Sequence, residues 1–450
     1  MIVMKFGGTS VKDADAIKRV INIIKSRIDS KPVVVSSATA GTTDKLINIG
    51  NDSKSGNYEK AIKSIIEVKE RHLNIINSLI KSDKHISKAI KKLNEQIAEL
   101  SEIVKGIYLL KELSGRTLAK ISSFGELIST NILTIALIDR KVDTVLINAN
   151  DFMITDDNFN NAEPQFNEIK KRLKNIVLPE LKKNRVVVTQ GFMGVSETGD
   201  ITTFSRGGSD YSASIIGACM KSKEIEIWTD VDGILSADPR IVNSPKILNE
   251  ISFKEAAELA FFGAKVLHPS TIEPAIKNNI PVRILNSHRP QKPGTIIIKK
   301  TNSTKYDVKS ITSKKNIKVL NIYSTKMLFA YGFLKKIFEI FDKYKTSVDL
   351  ITTSEVNVSL TLENTNNLKY VIDELSEFAE VKLEENKALI CVVGNNLKFM
   401  KGIEKRIFKV VGDFKISMIS QGASLINISF VIENDDLEKV IKLLHKEFFE

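Results

Sequence analysis

Four stretches of the chain combine glycine, charge and hydroxyl groups where an extended run gives way to a helical one. The first is Lys5-Phe6-Gly7-Gly8-Thr9-Ser10. Paired glycines let backbone N–H groups approach an anion, a helix N-terminus favours negative charge, and the lysine adds a mobile point charge. Ser36-Ser37-Ala38-Thr39-Ala40-Gly41-Thr42-Thr43-Asp44 repeats that arrangement with hydroxyls. Ser205-Arg206-Gly207-Gly208-Ser209-Asp210 sets a guanidinium, a bidentate grip for carboxylate or phosphate, at a helix start. A helix merely capped by Ser209 or Asp210 is the plainer reading there. The fourth comprises Trp228-Thr229-Asp230-Val231-Asp232-Gly233 and, downstream, Phe262-Gly263-Ala264-Lys265-Val266-Leu267-His268-Pro269, in which spacing alone makes His268 a core or capping histidine. Together the four describe a site for more than one anion. Neither G-x-x-x-x-G-K-[ST] nor G-x-G-x-x-G occurs, which argues against P-loop and dinucleotide binding.

The surrounding elements must bring these stretches together. Short β-branched runs at residues 2–6, 32–37, 142–148, 185–190, 224–229 and 281–286 alternate with helical periodicity, first seen in Ile17, Val20, Ile21, Ile24 and Ile28. Runs apolar throughout and separated by helices predict a mainly parallel sheet covered on both faces, a three-layer α/β/α sandwich. Ligands of such sheets bind at the carboxyl ends of the strands. Residues 56–118 interrupt the alternation. There Ile90, Leu93, Ile97, Leu100 and Val104 step by three and four, predicting a helical insertion packed onto the sheet, with coiled-coil assembly as the alternative.

Residues 287–306 are polar and rich in turn residues, which predicts a domain boundary. Beyond it the elements are small. A strand at 317–323, a helix opened by Gly332 over 333–344, strands at 347–351 and 356–362, a helix at 368–378 and a strand at 380–384 give the ferredoxin-like order βαββαβ. The order restarts with 388–393, 398–411, 415–420, 425–432 and 435–447 but runs out before a last strand. The alternating segment 307–312 is expected to supply it, interlocking the two modules. The expected division is 1–290 for the α/β body (with the insertion at 56–118), 291–312 for a linker and the donated strand, then 313–385 and 386–450. A duplicated module suggests ligand sensing, with oligomerisation alone as the alternative.

Of the 450 residues, 42% are hydrophobic and 27% charged, which excludes wholesale disorder and fits two to four domains. No run of about 18 apolar residues predicts a membrane span. The N-terminus also lacks a secretory-signal pattern. Lys and Arg number 66 against 54 Asp and Glu, but the lysines are dispersed along amphipathic helices. The net charge of +12 therefore reads as solvated faces, not a nucleic-acid or membrane surface. Cys219 and Cys391 lie far apart in apolar surroundings, which predicts a reducing compartment, the cytoplasm, and no disulfide. The histidines form no ligand-spaced pair, so no metal site built by the protein alone is expected.

Read in order, residues 5–10, Phe124-Gly125-Glu126, Gln190-Gly191-Phe192, Arg206-Gly207-Gly208-Ser209-Asp210, Trp228-Thr229-Asp230 and Phe262-Gly263-Ala264-Lys265 resemble the motif series of aspartate kinase. Gly332-Phe333-Leu334 and Ser347-Val348-Asp349-Leu350-Ile351-Thr352-Thr353-Ser354-Glu355 resemble the first regulatory (ACT) domain of its monofunctional, lysine-sensitive members. The resemblance spans almost the whole chain and is least distinctive in the helical insertion. It implies an amino-acid-kinase fold followed by two ACT domains, without a fused homoserine dehydrogenase. The implied reaction moves the γ-phosphate of ATP to the side-chain carboxylate of L-aspartate, giving 4-phospho-L-aspartate for lysine, threonine and methionine biosynthesis. Feedback by L-lysine and a homodimer, or a dimer of dimers through the ACT domains, are implied as well.

Such chemistry is electrostatic. A carboxylate with a pKa near ~3.9 is ionised at neutral pH and needs no general base. It must instead approach a polyanion, at a cost of about 4 kcal/mol per unit-charge pair at 4 Å and an effective dielectric of 20. Lys5 is accordingly assigned to the transferring phosphoryl group, helped by the Gly7 and Gly8 N–H groups and by Mg2+ arriving with ATP. The resemblance further implies Lys265 on the nucleotide phosphates, Thr229, Asp230 and Arg240 around the nucleotide, and Asp210 orienting Lys5. Arg206 would hold the α-carboxylate of aspartate and Glu126 its α-ammonium, with Ser37, Thr43 and Ser209 as hydroxyl partners. For the effector, the N–H groups at Gly332, Phe333 and Leu334 would receive a carboxylate. Asp349 would pair the ammonium, and Met327, Val348, Ser354 and Glu355 would complete the pocket. Leu235 and Ala330 replace a tyrosine and a serine of lysine-sensitive relatives, which bears on the adenine contacts and on lysine against threonine as effector. A sister kinase for glutamate, acetylglutamate or a nucleotide, and a non-catalytic effector-binding protein, are the competing readings. The Glu126/Arg206 pair and the tandem tail disfavour the first, and the intact Lys5, Arg206, Asp210 and Lys265 set disfavours the second.

Overall fold

The computed structural model describes residues 1–205, 207–263, 267–301, 308–328, 331–363 and 366–450. The chain forms two compact units: Met1–Ile234 with Asn249–Phe253 and Val266–Thr301, and Leu235–Leu248 with Lys254–Lys265 and Asn302–Glu450. Residues 235–248 and 254–263, read from sequence as part of the α/β body, thus fold with the C-terminal unit. Burial accounts for the first of them. Ala237, Ile241 and Val242 enter the core built by Phe430, Leu437 and Leu444, and Ser236 Oγ lies 2.9 Å from His445 Nε2.

The first unit is organised on an eight-stranded sheet in the order Thr144–Leu146, Val186–Gln190, Pro32–Ser36, Ile2–Phe6, Ile225–Thr229, Val282–Asn286, Thr295–Ile298, Glu250–Ser252. The first six of these run parallel. Ile2–Phe6 is central and almost wholly buried, with Lys5 opposite Val35 on one side and Ile227 on the other. Thr295–Ile298 falls in the stretch expected to be a polar boundary and is instead a strand antiparallel to Val282–Asn286. Its three consecutive isoleucines were hidden by the turn residues before them. A second sheet of Ile154–Thr155, Met193–Ser196 and Ile201–Thr203 was also not foreseen, its strands being too short to show alternation.

The insertion consists of helices Tyr58–Leu79 and Asp83–Leu110, leading into Gly115–Asp139. Ile65, Val68, Leu93, Ile97, Leu100 and Val104 join the same core as Phe6, Ile17 and Ile21, so the apolar seam is consumed within the chain. Gly115–Asp139 is long and apolar enough to cross a membrane, yet 83% of its most apolar window is buried inside the fold. Its composition is that of a core helix.

In the second unit a single six-stranded antiparallel sheet runs Ile351–Thr353, Asn357–Leu362, Val308–Tyr323, Glu380–Gly394, Asn427–Glu433, Ile416–Gln421. Helices Phe333–Lys343 and Leu368–Leu375 cover one half, Ile403–Val411 and Leu437–Phe449 the other. Each half has the ferredoxin-like strand order. The segments read as separate strands are continuous: Val308–Tyr323 pairs along Glu380–Gly394 through both halves, with register shifts near its middle. Both long strands bend at an asparagine in the left-handed region, Asn316 and Asn386 (φ 55° each), a conformation asparagine tolerates.

Candidate active site

The carboxyl ends of the central strands open into a cavity of about 270 Å³ lined by Lys5, Gly8, Ser37, Thr43, Glu126, Ser209 and Asp210, among others. Lys5 reaches it from the central strand, and its Nζ lies 2.7 Å from Asp210 Oδ1. Asp210 and Ser209 sit in the first turn of helix Gly208–Met220, which starts after Gly207 in the left-handed region (φ 78°). Two loops are stitched together beneath the cavity. Ser37 N–H donates to the Phe6 carbonyl at 3.1 Å and Ala40 N–H to the Gly8 carbonyl at 3.2 Å.

One assignment changes. The Gly7 N–H donates to the Trp228 carbonyl at 3.2 Å, because the strand ladder continues one residue past Phe6. Gly7 therefore offers no amide to a phosphate, and its role is spacing: a Cβ there would sit 3.3 Å from Lys5 Nζ.

Glu126 projects from the middle of helix Gly115–Asp139 and is 3% exposed. Its Oε1 accepts the Ala38 N–H at 3.1 Å, while Oε2 is buried with no partner among the described residues. Desolvation pushes its pKa up to about 8, against the pull of that N–H. The preceding Gly125 is required by packing, since a Cβ would meet that of Ala38 at 2.7 Å. Phe192 closes the Gln190-Gly191-Phe192 motif. It lines the cavity with φ 65°, rare for a bulky residue, and its N–H donates to Ser212 Oγ at 3.0 Å. Thr39, Ala40 and Asp44 also line the cavity and were not singled out, although the hydroxyl-rich loop that carries them was.

Thr229 ends the strand beside that of Lys5 and Asp230 follows it, both outside the cavity lining. Thr229 Oγ1 donates to Asp230 Oδ1 at 3.2 Å, and the Thr229 carbonyl accepts from Ser287. Nearby, Asp232 is bonded to Asn286 Nδ2 at 2.7 Å and paired with Arg289 at 2.9 Å, contacts no motif announced. Arg240 belongs to the second unit and is paired with Asp238 at 2.6 Å. Arg206 and Lys265 lie outside the described residues, as does Ala330. Of the two readings of His268, core or capping, the second holds by position: it is exposed and stands at the N-cap of the short helix Pro269–Ile272, with Nδ1 2.7 Å from Ser270 Oγ. Among the described residues no three His, Cys, Asp or Glu side chains cluster as metal ligands.

In the second unit, Gly332 (φ 80°) opens helix Phe333–Lys343, and Met327, Phe333 and Val348 pack on the rim of one core. Leu334 is partly exposed, and Ser354 Oγ accepts the Asn357 N–H at 3.2 Å. Asp349 is paired with Lys314 at 3.3 Å, and the same ammonium lies 2.9 Å from Glu363. Burial raises the Asp349 pKa and Lys314 lowers it, while Oδ2 is buried with no partner among the described residues. Lys314 went unnoticed in the sequence because it lies in the strand preceding the effector motifs.

Residues 1–286 match the amino acid kinase family and residues 390–448 an ACT domain. The lysine-sensitive aspartokinase 3 of Escherichia coli is 37% identical over 464 residues, covering 100% of this chain and 99% of that protein. The chloroplastic aspartokinase 1 of Arabidopsis thaliana is 38% identical, covering 100% of this chain and 80% of its own length. Two structures of E. coli aspartokinase III, each 35% identical and covering 100% of both chains, are similar throughout. The one with aspartate and ADP (R-state) gives a TM-score of 0.84, and the one with lysine and aspartate (T-state) 0.85.

Proposed function

The chain belongs to the aspartokinase family, and on that premise we propose that it phosphorylates the side-chain carboxylate of L-aspartate from ATP and is inhibited by L-lysine through its ACT domains. The observation that carries this reading is the convergence on one cavity of the Lys5–Asp210 pair and the unpartnered Oε2 of Glu126. An amino acid with two carboxylates and one ammonium needs both signs of charge in one place.

Glu126 receives the α-ammonium, and Arg206 takes the α-carboxylate. Ser37, Thr43 and Ser209 offer hydroxyls along the cavity. Lys5, aligned by Asp210, offsets the negative charge shared by the incoming carboxylate and the transferring phosphoryl group, as does the Gly8 N–H. Catalysis is positioning and charge placement, with no proton to remove from the nucleophile. Thr229, Asp230, Arg240 and Lys265 serve the nucleotide. Magnesium would arrive with ATP and neutralise its phosphates. The described residues contain no three-ligand cluster of their own, and Asp210, one of the carboxylates that line the cavity, is paired with Lys5.

An N-acylated substrate would leave the buried Glu126 without its partner, so acetylglutamate is rejected. In the ACT unit, Asp349 takes the effector ammonium, the Gly332–Leu334 turn its carboxylate, and Met327, Val348, Ser354 and Glu355 the rest. A homodimer or dimer of dimers joined through the ACT domains, and the cytoplasm, complete the proposal. Two buried free thiols, Cys219 and Cys391, support a reducing compartment.

An ATP-coupled assay with aspartate, glutamate and acetylglutamate, titrated separately with lysine and threonine, tests it. ADP formed equally well with glutamate would overturn the acceptor. Activity indifferent to millimolar lysine would overturn the effector.

A further inference from the structure

The helical insertion has no part in the mechanism above, yet two adjacent residues of its helix Tyr58–Leu79 are bonded to the loop that lines the cavity. Arg71 Nη1 donates to the Ala40 carbonyl at 2.7 Å, and Nη2 to the Lys12 carbonyl at 3.0 Å. His72 is fully buried, with Nδ1 2.7 Å from the Val68 carbonyl and Nε2 3.0 Å from Thr39 Oγ1. Thr39 Oγ1 is in turn 2.6 Å from Thr42 Oγ1.

The direction of every bond in this chain follows from its end. A carbonyl only accepts, so Nδ1 carries the ring proton. Burial holds the ring neutral, with a pKa lowered to about 4, which leaves Nε2 as an acceptor. Thr39 therefore donates to His72 and accepts from Thr42. Thr39 and Ala40 line the cavity, and Ala38, the residue before them, donates to Glu126.

We propose that Arg71 and His72 are positioning residues for the acceptor amino acid. Through them the insertion fixes residues 38–42 so that Ala38 orients Glu126 and the cavity keeps the shape that aspartate requires. This rests on the aspartate-kinase reading and deepens it: the insertion governs affinity for the amino acid and leaves affinity for ATP alone. Misplacement of such a loop by ~1 Å is enough for a loss of order 100-fold.

Steady-state kinetics of the full chain tests the proposal with His72→Phe, His72→Gln and Arg71→Met. His72→Phe removes the acceptor for Thr39 at similar shape and is expected to raise KM for aspartate about tenfold or more. KM for ATP should stay within about twofold. Arg71→Met, at a partly exposed site, gives the same selective rise and carries the test if the histidine variant fails to fold. His72→Gln, which retains an acceptor, recovers most of the affinity. Unchanged constants, or equal rises in both KM values, overturn the proposal. A parent enzyme that forms ADP only with another acceptor overturns the aspartate reading and this inference with it.

Discussion

Lys5 Nζ lies 2.7 Å from Asp210 Oδ1, which ties the end of the central strand to the first turn of helix Gly208–Met220. Both side chains are largely buried, at 11% and 14% exposure, so the pair is shielded from solvent screening. The carboxylate holds the ammonium in place, and no other Lys or Arg among the described residues lines the cavity.

Replacing Lys5 by Met is therefore expected to lower kcat by more than about 100-fold, the scale of a lost oxyanion-type donor. Asp210→Asn should cost less, since the lysine stays charged but loses its alignment. Rapid-quench measurement of phosphoryl transfer checks both. Near-normal turnover in Lys5→Met would remove the role assigned to it.

Glu126, with its pKa near about 8 in the free enzyme, is mostly protonated at neutral pH. The aspartate ammonium favours the carboxylate, so binding below pH 8 releases a proton. KM for aspartate should fall about tenfold per pH unit as pH rises toward 8 and level off above it. Calorimetry in buffers of different ionisation enthalpy counts the proton directly. Glu126→Gln should weaken aspartate binding and flatten this dependence, and a KM profile as steep as the parent's would exclude Glu126 as the titrating group.

His72 leaves a second mark on pH dependence. Its folded pKa of about 4 lies below the ordinary value of 6.5, so the unfolded chain binds the extra proton first. Its stability contribution is complete above pH 6.5 and is lost as pH falls through the window down to about 4. At 1.36 kcal/mol per unit the total is about 3 kcal/mol. Urea unfolding at neutral and mildly acidic pH should show a smaller acid loss in His72→Gln than in the parent, and equal losses would assign the effect elsewhere.

In the ACT unit, Lys314 pairs with Asp349, the carboxylate proposed to take the effector ammonium. Asp349→Ala is expected to abolish lysine inhibition while leaving basal activity intact. Lys314→Met, which removes the internal competitor, should lower the inhibitory lysine concentration several-fold. Dose–response curves decide this: an Asp349→Ala enzyme as lysine-sensitive as the parent would sink the effector assignment, and an unmoved Lys314→Met curve would show that Lys314 does not compete.

Much of the architecture was legible because it is written locally. Alternating β-branched runs and three-to-four spacing placed the six parallel strands within a residue or two at most ends, and three of the glycine-rich strand exits line the cavity. The order of the small elements predicted the donated strand in the tail, observed as the N-terminal part of Val308–Tyr323 paired with Glu380–Gly394.

Other features follow only from which segments become neighbours. Gly7 lost its expected amide because Trp228, remote in sequence, supplies the next rung of the ladder. Residues 235–248 joined the C-terminal unit because Ile241 and Val242 found their burial there. The charge state of Glu126 and the grip of Arg71 and His72 on the loop at 38–42 are likewise products of the tertiary structure. Backbone preference is set by a few adjacent residues, and the sequence carried it alone. Desolvation and hydrogen-bond partners are set by groups tens to hundreds of residues away, and these only the folded chain could choose.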